Sequence, residues 1–243
     1  MIFNLTYKPY GERSILVEWP QVINKKILYD VLAFKNKILK NDIELIIDIN
    51  TAYNSLLITY KKIKTSFNTQ VSILKETYSQ ENIYNKQIFK QWEIPVCYDV
   101  DFGVDLKTIS LAKNTTKEFI IKQHSQAIYT VYFIGFLPGF LYLGGLHKAL
   151  CFPRKETPKL QIEKGAVAIG GNQTGIYPSE SPGGWNIIGN TPISFFNVTK
   201  NNACFAKPGD SIKFYSISLK KYHDIKSLVD AGVYQIKSEV VNG

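Results

Sequence analysis

The amino-acid sequence predicts an α+β fold, with a small N-terminal α/β sandwich domain over residues 1–84 and a β-barrel domain over residues 85–243. Strand and helix patterns follow one another as β-β-α-β-β-α in the first domain, an order that gives one sheet with helices on a single face. Many short strand patterns with few helices follow, as is typical of a closed barrel or sandwich. The polar, aperiodic stretch 79–86 predicts the linker between them.

The elements of the first domain are predicted from residue type and periodicity. Strand patterns rich in β-branched and aromatic residues lie at 2–8, 14–19, 44–50 and 55–60. Apolar residues recur at helical spacing over 22–40, namely at Ile27, Val31, Phe34 and Ile38, which places them on one helix face. A second helix is predicted to begin at an Asn68 cap and to end near Tyr78. Nothing in this domain indicates catalysis.

The second domain is predicted to contain strands at 87–99, 129–136, 193–198, 204–215 and 233–240. Pro95 predicts an edge or strand-end position for its residue, since proline cannot donate to a sheet. Two short helices lie between the first two strands, with Asp105 as the predicted cap of one. Thr115 and Glu118 form a capping-box pattern for the other. His124 on this second helix is a core histidine or a catalytic base, and its apolar neighbours favour the core.

Charge and composition exclude several functional classes. The net charge is +9, and only Arg13 and Arg154 are arginines among 29 basic residues. The lysines are spread along the chain, which favours a solvated surface over a nucleic-acid interface. No apolar run approaches the roughly 18 residues of a membrane span. We therefore expect neither nucleic acid nor membrane as a partner.

The remaining compositional features predict a cytoplasmic protein. The N-terminus lacks the pattern of a secretory signal. The three cysteines are odd in number and lack CxxC spacing, which is typical of reduced thiols. The three histidines are isolated from one another, so no metal site is expected.

Special backbone geometry is concentrated in residues 135–192, called here the glycine-proline segment. It holds eleven of the 16 glycines and six of the 10 prolines. Aromatic residues are interleaved with them, which disfavours a disordered linker. The composition predicts shaped loops that line a concave site with apolar rings and exposed peptide groups. Phe136, Phe140, Tyr177 and Trp185 are the candidate rings, as pocket wall or as core.

Few polar side chains occur in this segment. Arg154 is either a fork for a carboxylate or an ordinary surface charge. Lys155 and Lys159 flank it and could make the same turn an anion-binding corner. The remaining candidate binding residues are placed on loops between glycines: Gln173, Thr174, Glu180 and Ser181. For Glu180 and Ser181, a turn-stabilising role is the open alternative.

Glycines of the segment are the candidate backbone donors. Gly171, Gly183 and Gly184, together with Gly170 and Gly175, are expected to expose peptide N–H groups towards a ligand. Walker A, GxGxxG and GxSxG motifs are absent from the sequence. Any activity should therefore come from an unfamiliar pocket or be shared with another chain.

Long motifs of the chain resemble the allophanate hydrolase subunit 1 family, which includes the B subunit of 5-oxoprolinase and a sporulation-kinase inhibitor. The motifs are GFLPGFLYLGGL, FPRKETPKLQIEKGAVAIGGNQTGIYPSESPGGWNIIGNTP, EIPVCYD and FGVDL. GERSILVEW and AYNSLLITY resemble the family more weakly. The chain departs from the usual pattern at Lys159 and Asn190, where the family commonly has arginine, and at Asn172.

The resemblance implies a small α/β domain followed by a cyclophilin-like β-barrel. It also implies ATP-dependent opening of 5-oxoproline to glutamate, performed together with subunits A and C. ATP with Mg²⁺ would be the cofactor, bound by or shared with a partner subunit. Arg154 would then hold the carboxylate of a small anionic lactam, while the catalytic residues stay unassigned. The isolated chain is expected to be inactive.

Two other functions stay open at this point. Family members that inhibit a sensor histidine kinase imply a regulatory binding module, whose pocket would be a protein-recognition groove. Related domains within biotin-dependent enzymes imply a component of an amide or urea carboxylase. Prolyl isomerase activity would follow only from the barrel type, and fold does not carry function.

Overall fold

The computed structural model describes residues 3–43, 45–63, 65–81 and 88–242. The chain divides into two compact units, residues 1–86 and 87–243. The predicted boundary between residues 84 and 85, and most of the predicted linker 79–86, lie outside the described residues. Within the described ranges, no helix combines the length and the apolar character that crossing a membrane requires.

The first unit is one antiparallel sheet with two helices. Its elements are β1 (Thr6–Tyr10), β2 (Ser14–Glu18), α1 (Lys25–Lys40), β3 (Ile46–Thr51), β4 (Ser55–Tyr60) and α2 (Phe67–Ser79). The strand order is β1-β2-β4-β3. Helix α1 buries the face that the sequence predicts, Ile27, Val31, Phe34 and Ile38, against this sheet. Helix α2 is capped by Ser66 rather than Asn68, since the Ser66 hydroxyl accepts the Thr69 N–H at 3.2 Å.

The second unit contains the barrel. Its elements are β5 (Ile88–Cys97), α3 (Leu106–Ala112), α4 (Lys117–Gln126), β6 (Ile128–Ile134), β7 (Leu141–Gly144), β8 (Lys159–Ile162), β9 (Ala166–Gly170), β10 (Gln173–Ile176), β11 (Ser181–Gly183), β12 (Asn186–Asn190), β13 (Ser211–Ile217), α5 (Leu219–Asp230) and β14 (Ser238–Asn242). The sheet runs β12-β9-β10-β7-β6-β13-β5 and closes where Asn190 of β12 pairs with Cys97 of β5. Strand β14 adds to β5, and β8 pairs with β11 alone. The α+β class and the barrel are thus confirmed.

Pro95 lies inside β5, at a point where the strand has no neighbour on one side. Strand β14 pairs with β5 only as far as Trp92, and β12 meets it only at Cys97. The Glu93 N–H points to the β14 side, where it donates to Lys237. Because N–H groups two residues apart share a side, the donor that Pro95 lacks would point into this gap. The predicted strand-edge position is therefore correct at this residue.

Two local predictions for the second unit are wrong, and a third, the Asp105 cap of α3, is correct in position only. Residues 193–198 form no strand; Ile193 and Phe195 are buried, and their alternation comes from an irregular segment lying on the core. Helix α4 is capped by Thr116 rather than Thr115, because the Thr116 hydroxyl accepts the Phe119 N–H at 3.1 Å. Asp105 precedes α3 but makes no side-chain cap bond.

The barrel wall has two apolar faces, and the outer one positions the candidate site. Leu141, Val167 and Ile169 point into the main core of the barrel. Their neighbours Ala166 and Ala168 belong to a separate buried cluster. Because side chains alternate between the faces of a strand, this second cluster lies on the outer face of β7, β9, β10 and β12. Ile162, Tyr177 and Trp185, which lie between these strands in the glycine-proline segment, pack in this outer cluster.

Candidate functional site

Five aromatic residues on the outer side of the barrel form one contiguous group, called here the aromatic face. They are Phe136, Phe140, Tyr142, Tyr177 and Trp185. The Phe140 ring lies at its centre, with centroid distances of 5.5 Å to Phe136, 4.8 Å to Tyr142, 5.2 Å to Tyr177 and 5.6 Å to Trp185. Phe140, Tyr177 and Trp185 are buried, whereas Phe136 is 59% exposed. The face therefore has a packed base and an accessible rim.

Phe136 has an unusual backbone for an aromatic residue. Its φ is +66°, in the left-handed region that few non-glycine residues adopt. The same turn is closed by a hydrogen bond from the Phe140 N–H to the Leu137 carbonyl at 3.0 Å. The turn thus holds an exposed ring over the buried Phe140 ring at a cost in backbone strain.

Several glycines of the segment make room for these rings rather than exposing peptide groups. A Cβ at Gly170 would lie 2.6 Å from the Trp185 ring, and one at Gly175 would lie 3.1 Å from both Phe140 and Trp185. Gly170 and Gly175 belong to central strands of the barrel, where backbone groups face the neighbouring strands. The expectation of exposed N–H donors is wrong for this pair.

Gly171, Gly183 and Gly184 have three different structural roles. Gly171 has φ +66°, and its N–H donates to the Phe152 carbonyl at 2.7 Å. Gly183 lies in β11, where a Cβ would collide with the Tyr177 hydroxyl. The Gly184 carbonyl accepts the Lys155 N–H at 2.7 Å. The backbone of this region is thus largely engaged in holding the segment together.

The predicted loop position is wrong for three of the four polar candidates. Gln173 and Thr174 lie in β10 and Ser181 lies in β11, all of them buried. The Thr174 hydroxyl is used inside the barrel, because it donates to the Ala168 carbonyl at 2.9 Å. The Ser181 hydroxyl has no partner within the described part of the chain. Glu180 is exposed and accepts a hydrogen bond from Gln161 at 2.8 Å.

Arg154 lies over the aromatic face. Its guanidinium carbon is 5.5 Å from the centroid of the Trp185 ring, which is within cation–π range. Its side chain makes no hydrogen bond or ion pair with any residue that the structure describes. A planar guanidinium that rests on an indole and keeps its donors unpaired is suited to bidentate binding of a carboxylate.

Asp105 joins the two lysines of the same turn. Its carboxylate accepts from Lys155 at 2.8 Å and lies 3.7 Å from the Lys159 ammonium. It also accepts the Ile187 N–H at 2.8 Å. With Arg154, and counting Glu156 of the same turn, this corner carries three cations against two carboxylates, so it keeps a net positive charge. That balance favours an anionic ligand.

Sequence reasoning misses Asp105 and Asn186 as parts of this site. Asp105 has the position of a helix cap, and its partner Lys155 is 50 residues further along the chain. The Asn186 amide donates to the Pro153 carbonyl at 2.8 Å, across 33 residues. The FGVDL motif does contain Asp105, and this is the available signal.

Asn190, where the family commonly has arginine, is buried and bonded to Lys164 and Tyr222.

His124 lies fully buried in the barrel, as the core interpretation predicts. Its Nε2 is 3.0 Å from the Thr174 hydroxyl and its Nδ1 is 2.7 Å from the Tyr98 hydroxyl. Since Thr174 donates to Ala168, its oxygen accepts from Nε2–H, and Nδ1 accepts from Tyr98. Burial lowers the pKa of His124 to about 3, so the ring stays neutral.

The phenols of the aromatic face stay protonated at neutral pH. Burial raises the pKa of Tyr177 to about 12, with a partial offset from a Trp185 backbone hydrogen bond and from Arg154. Burial also raises the pKa of Tyr142, again with an offset from Arg154. Both hydroxyls can therefore donate hydrogen bonds but are not bases.

Comparison with known proteins agrees with the motifs. Residues 5–206 match the family described as carboxyltransferase domain, subdomain C and D. The B subunit of 5-oxoprolinase from Bacillus subtilis (strain 168) is 32% identical over 233 residues, covering 89% of this chain and 94% of that protein. The protein of the same name from Haemophilus influenzae is 34% identical over 210 residues, covering 85% and 95%.

A solved structure shows the same fold in a larger protein. The urea amidolyase of Kluyveromyces lactis superposes with a TM-score of 0.84 over 98% of this chain and 16% of that chain, at 19% identity. At that identity the likeness concerns the fold alone. The family match covers most of the sequence, and the two bacterial relatives match along nearly their whole length. The chain therefore belongs to the carboxyltransferase subdomain C and D family, in the group that includes the B subunits of bacterial 5-oxoprolinases.

Proposed function

We propose that this chain is the B subunit of an ATP-dependent 5-oxoprolinase, which opens the lactam of 5-oxoproline to give L-glutamate. Two relatives with that name, each matched over more than four fifths of this chain, support the assignment. The name of a subunit implies partners, which we take to be subunits A and C. The isolated chain would then lack activity.

The observation that carries the proposal for substrate binding is the Arg154 guanidinium, which has no hydrogen bond or ion pair with the described residues and lies over Trp185. 5-Oxoproline has one carboxylate on a small flat ring. Arg154 would bind that carboxylate in a bidentate manner, while the exposed ring of Phe136 and the partly buried ring of Tyr142 would contact the lactam ring.

We propose that ATP and Mg²⁺ are bound by a partner subunit rather than by the described residues of this chain. The described residues include no group of three or more histidine, cysteine, aspartate or glutamate side chains that could hold a metal ion. Asp105, the buried carboxylate of the cationic corner, is already paired with Lys155. We therefore assign ATP and Mg²⁺ to a partner subunit, and we assign substrate orientation to this chain.

Arg154→Gln in the reconstituted complex tests the proposal. Loss of a bidentate carboxylate contact should raise KM for 5-oxoproline by about tenfold to a hundredfold, since a charged hydrogen-bonded contact contributes roughly 1.5–3 kcal/mol. The measurement is ADP release that depends on 5-oxoproline, with the three subunits mixed. Arg13→Gln is the matched control, because Arg13 is the only other arginine and is exposed in the first unit.

Two results would count against this assignment. Absence of 5-oxoproline-dependent ADP release from the wild-type complex would contradict the reaction. Unchanged KM in the Arg154→Gln complex, with normal assembly, would contradict the role of Arg154.

A component of a biotin-dependent amide or urea carboxylase is the second candidate. The family description as a carboxyltransferase domain favours it. Under this alternative, the same cationic corner would receive a carboxylated intermediate. Urea-dependent ADP release, in the presence of a biotin carboxylase partner and with no response to 5-oxoproline, would support it over the first.

A further inference from the structure

Asp105 makes contacts with two separate parts of the glycine-proline segment. Its own N–H donates to the Ile187 carbonyl at 3.0 Å, and its carboxylate accepts the Ile187 N–H at 2.8 Å. The other carboxylate oxygen accepts from the Lys155 ammonium at 2.8 Å. The side chain is only 8% exposed, so these charge-assisted bonds are shielded from water.

The two neighbours of Arg154 in the chain, Pro153 and Lys155, are both hydrogen-bonded to residues 184–186. Before it, the Pro153 carbonyl accepts from the Asn186 amide at 2.8 Å. After it, the Lys155 N–H donates to the Gly184 carbonyl at 2.7 Å, and the Lys155 side chain reaches Asp105. The backbone of Arg154 is therefore fixed on both sides, and its guanidinium lies over Trp185.

The side-chain contacts of Asp105 do not cap α3, although its carbonyl accepts the Ile109 N–H at 3.0 Å. The helix has a cap residue at this position without a side-chain cap bond. The carboxylate instead faces two ammonium groups and one backbone N–H. Removing the charge would leave Lys155 partly buried without a partner, a state that is costly in a poorly solvated position.

We propose that Asp105 is a positioning residue, which fixes Arg154 above Trp185 through Lys155 and Ile187. Asp105 itself touches no reacting group; it acts by holding the turn at 153–155 against β12. The part of this proposal that concerns catalysis rests on the function proposed above. The part that concerns the turn can be tested in the isolated chain.

Limited trypsin digestion of the isolated chain tests the turn. Trypsin cleaves after Arg154 and after Lys155, and both bonds lie in the turn that Asp105 holds. Cleavage of a locally opened segment follows the population of the open form. In Asp105→Asn we expect cleavage after residues 154 and 155 to become about tenfold faster, as roughly 1.4 kcal/mol of local stability would give.

Asp101→Asn is the matched control for this experiment. Asp101 lies four residues earlier, is exposed, and loses the same charge on substitution. Mass spectrometry of the fragments identifies the cleaved bonds. Equal cleavage rates at 154 and 155 in the Asp105→Asn and Asp101→Asn chains would overturn the proposal.

A second variant keeps the test decisive if Asp105→Asn fails to fold. Lys155→Met removes the ammonium group, keeps an unbranched side chain of similar length, and leaves the bond after Arg154 as the trypsin site. Faster cleavage there than in the wild type is the expected result. Cleavage at the wild-type rate would contradict a role for the Asp105–Lys155 contact.

Kinetics of the reconstituted complex separate positioning from mere folding. If Asp105 fixes Arg154, the Asp105→Asn complex should show KM for 5-oxoproline raised about tenfold with a smaller change in kcat, since small misplacements of a binding group weaken its contact. A purely structural role would lower the active fraction and leave KM unchanged, which would overturn the proposal. If the wild-type complex shows no turnover, the proposed function fails, and the trypsin result alone decides the role of Asp105.

Discussion

His124 is a buried, neutral side chain with a fixed direction of hydrogen bonding. The Phe214 ring stacks on it at 4.7 Å, and both of its nitrogens are bonded. The Tyr98 hydroxyl donates to it, and it donates to Thr174, which donates to the Ala168 carbonyl. The bonds link α4, the chain just after β5, and two strands beneath the aromatic face. Protonation would give both ring nitrogens a hydrogen, so the ring could no longer accept the bond from Tyr98. The resulting charge would also be buried away from water.

Stability should therefore depend on pH through His124. The folded pKa is about 3, below the unfolded value of about 6.5, so the unfolded chain binds more protons between these values. Stability is complete above pH 6.5 and is lost as pH falls towards 3. Between pH 6.5 and 5, His124 should account for a loss of about 2 kcal/mol in the free energy of unfolding.

Urea denaturation across this pH range measures the effect. His124→Gln cannot titrate, so it should show a weaker pH dependence than the wild type. His223→Gln is the matched control, because it makes the same substitution at an exposed histidine. Identical slopes for His124→Gln and the wild type would contradict the assignment.

Strands β8 and β11 form a short sheet that covers the aromatic face. Ile162 of β8 lies opposite Ser181 of β11 and belongs to the outer cluster with Tyr177 and Trp185. Gly183 follows in β11, at a position where a side chain would point at the same cluster. The sheet can lie this close only because Gly183 has no Cβ.

Gly183→Ala should therefore destabilise the protein, whereas Gly184→Ala should not. A Cβ at residue 183 would lie 2.7 Å from Ile162 Cδ1 and would also meet the Tyr177 hydroxyl. Overpacking of this kind costs about 1–3 kcal/mol. At Gly184 the nearest heavy atom is 3.5 Å away and φ is not positive, so a change within about 0.5 kcal/mol is expected. Thermal unfolding of the two variants compares them, and equal melting temperatures would refute this packing.

Elements with a strong internal pattern are predictable from the sequence, and elements defined by a distant partner are not. The buried face of α1 follows from its own period. Residues 193–198 show strand-like alternation but have no ladder partner in the described chain. Helix α5 is absent from the sequence-based prediction, although Ser218 caps it and Tyr222 and Ile225 are buried at helical spacing. The Ser218 cap and the helical spacing of Tyr222 and Ile225 are local signals, so this helix could have been predicted from the sequence.

At the scale of the whole molecule, each unit has its own hydrophobic core. The first core is built on Val17, Phe34 and Leu56, the second on Val131, Ile169 and Phe214. All residues of the candidate site lie in the second unit. A unit with a closed sheet and its own core meets the requirements for independent folding.

Residues 87–243 expressed alone should therefore fold. We expect a single cooperative thermal transition and near-UV circular dichroism of ordered aromatic rings, because Phe140, Tyr177 and Trp185 pack within this unit. The full-length chain is the reference. A fragment that keeps its far-UV signal but lacks the near-UV signal would contradict the expectation, since it would be compact without fixed packing.

The candidate site is predictable in part. The rarity of arginine in the sequence points to Arg154, and the interleaved rings point to the aromatic face. The structural role of the glycines is not predictable. A high glycine content is compatible both with a loop around a ligand and with a strand packed against an indole ring. Asp105 cannot be placed from sequence, since its role depends on Lys155, 50 residues away.

Strand β5 has a consequence for synthesis on the ribosome. It is the first strand of the barrel, yet it pairs in parallel with β13 and antiparallel with β14. Gln91 of β5 bonds Glu239, which is 148 residues later. Loop closure over such separations makes folding slow. Strand β5 also stays unpaired until its partner strands, which come later in the sequence, have been translated. Nascent chains should accordingly need a chaperone most during this interval, after the first unit has emerged and before β13 has.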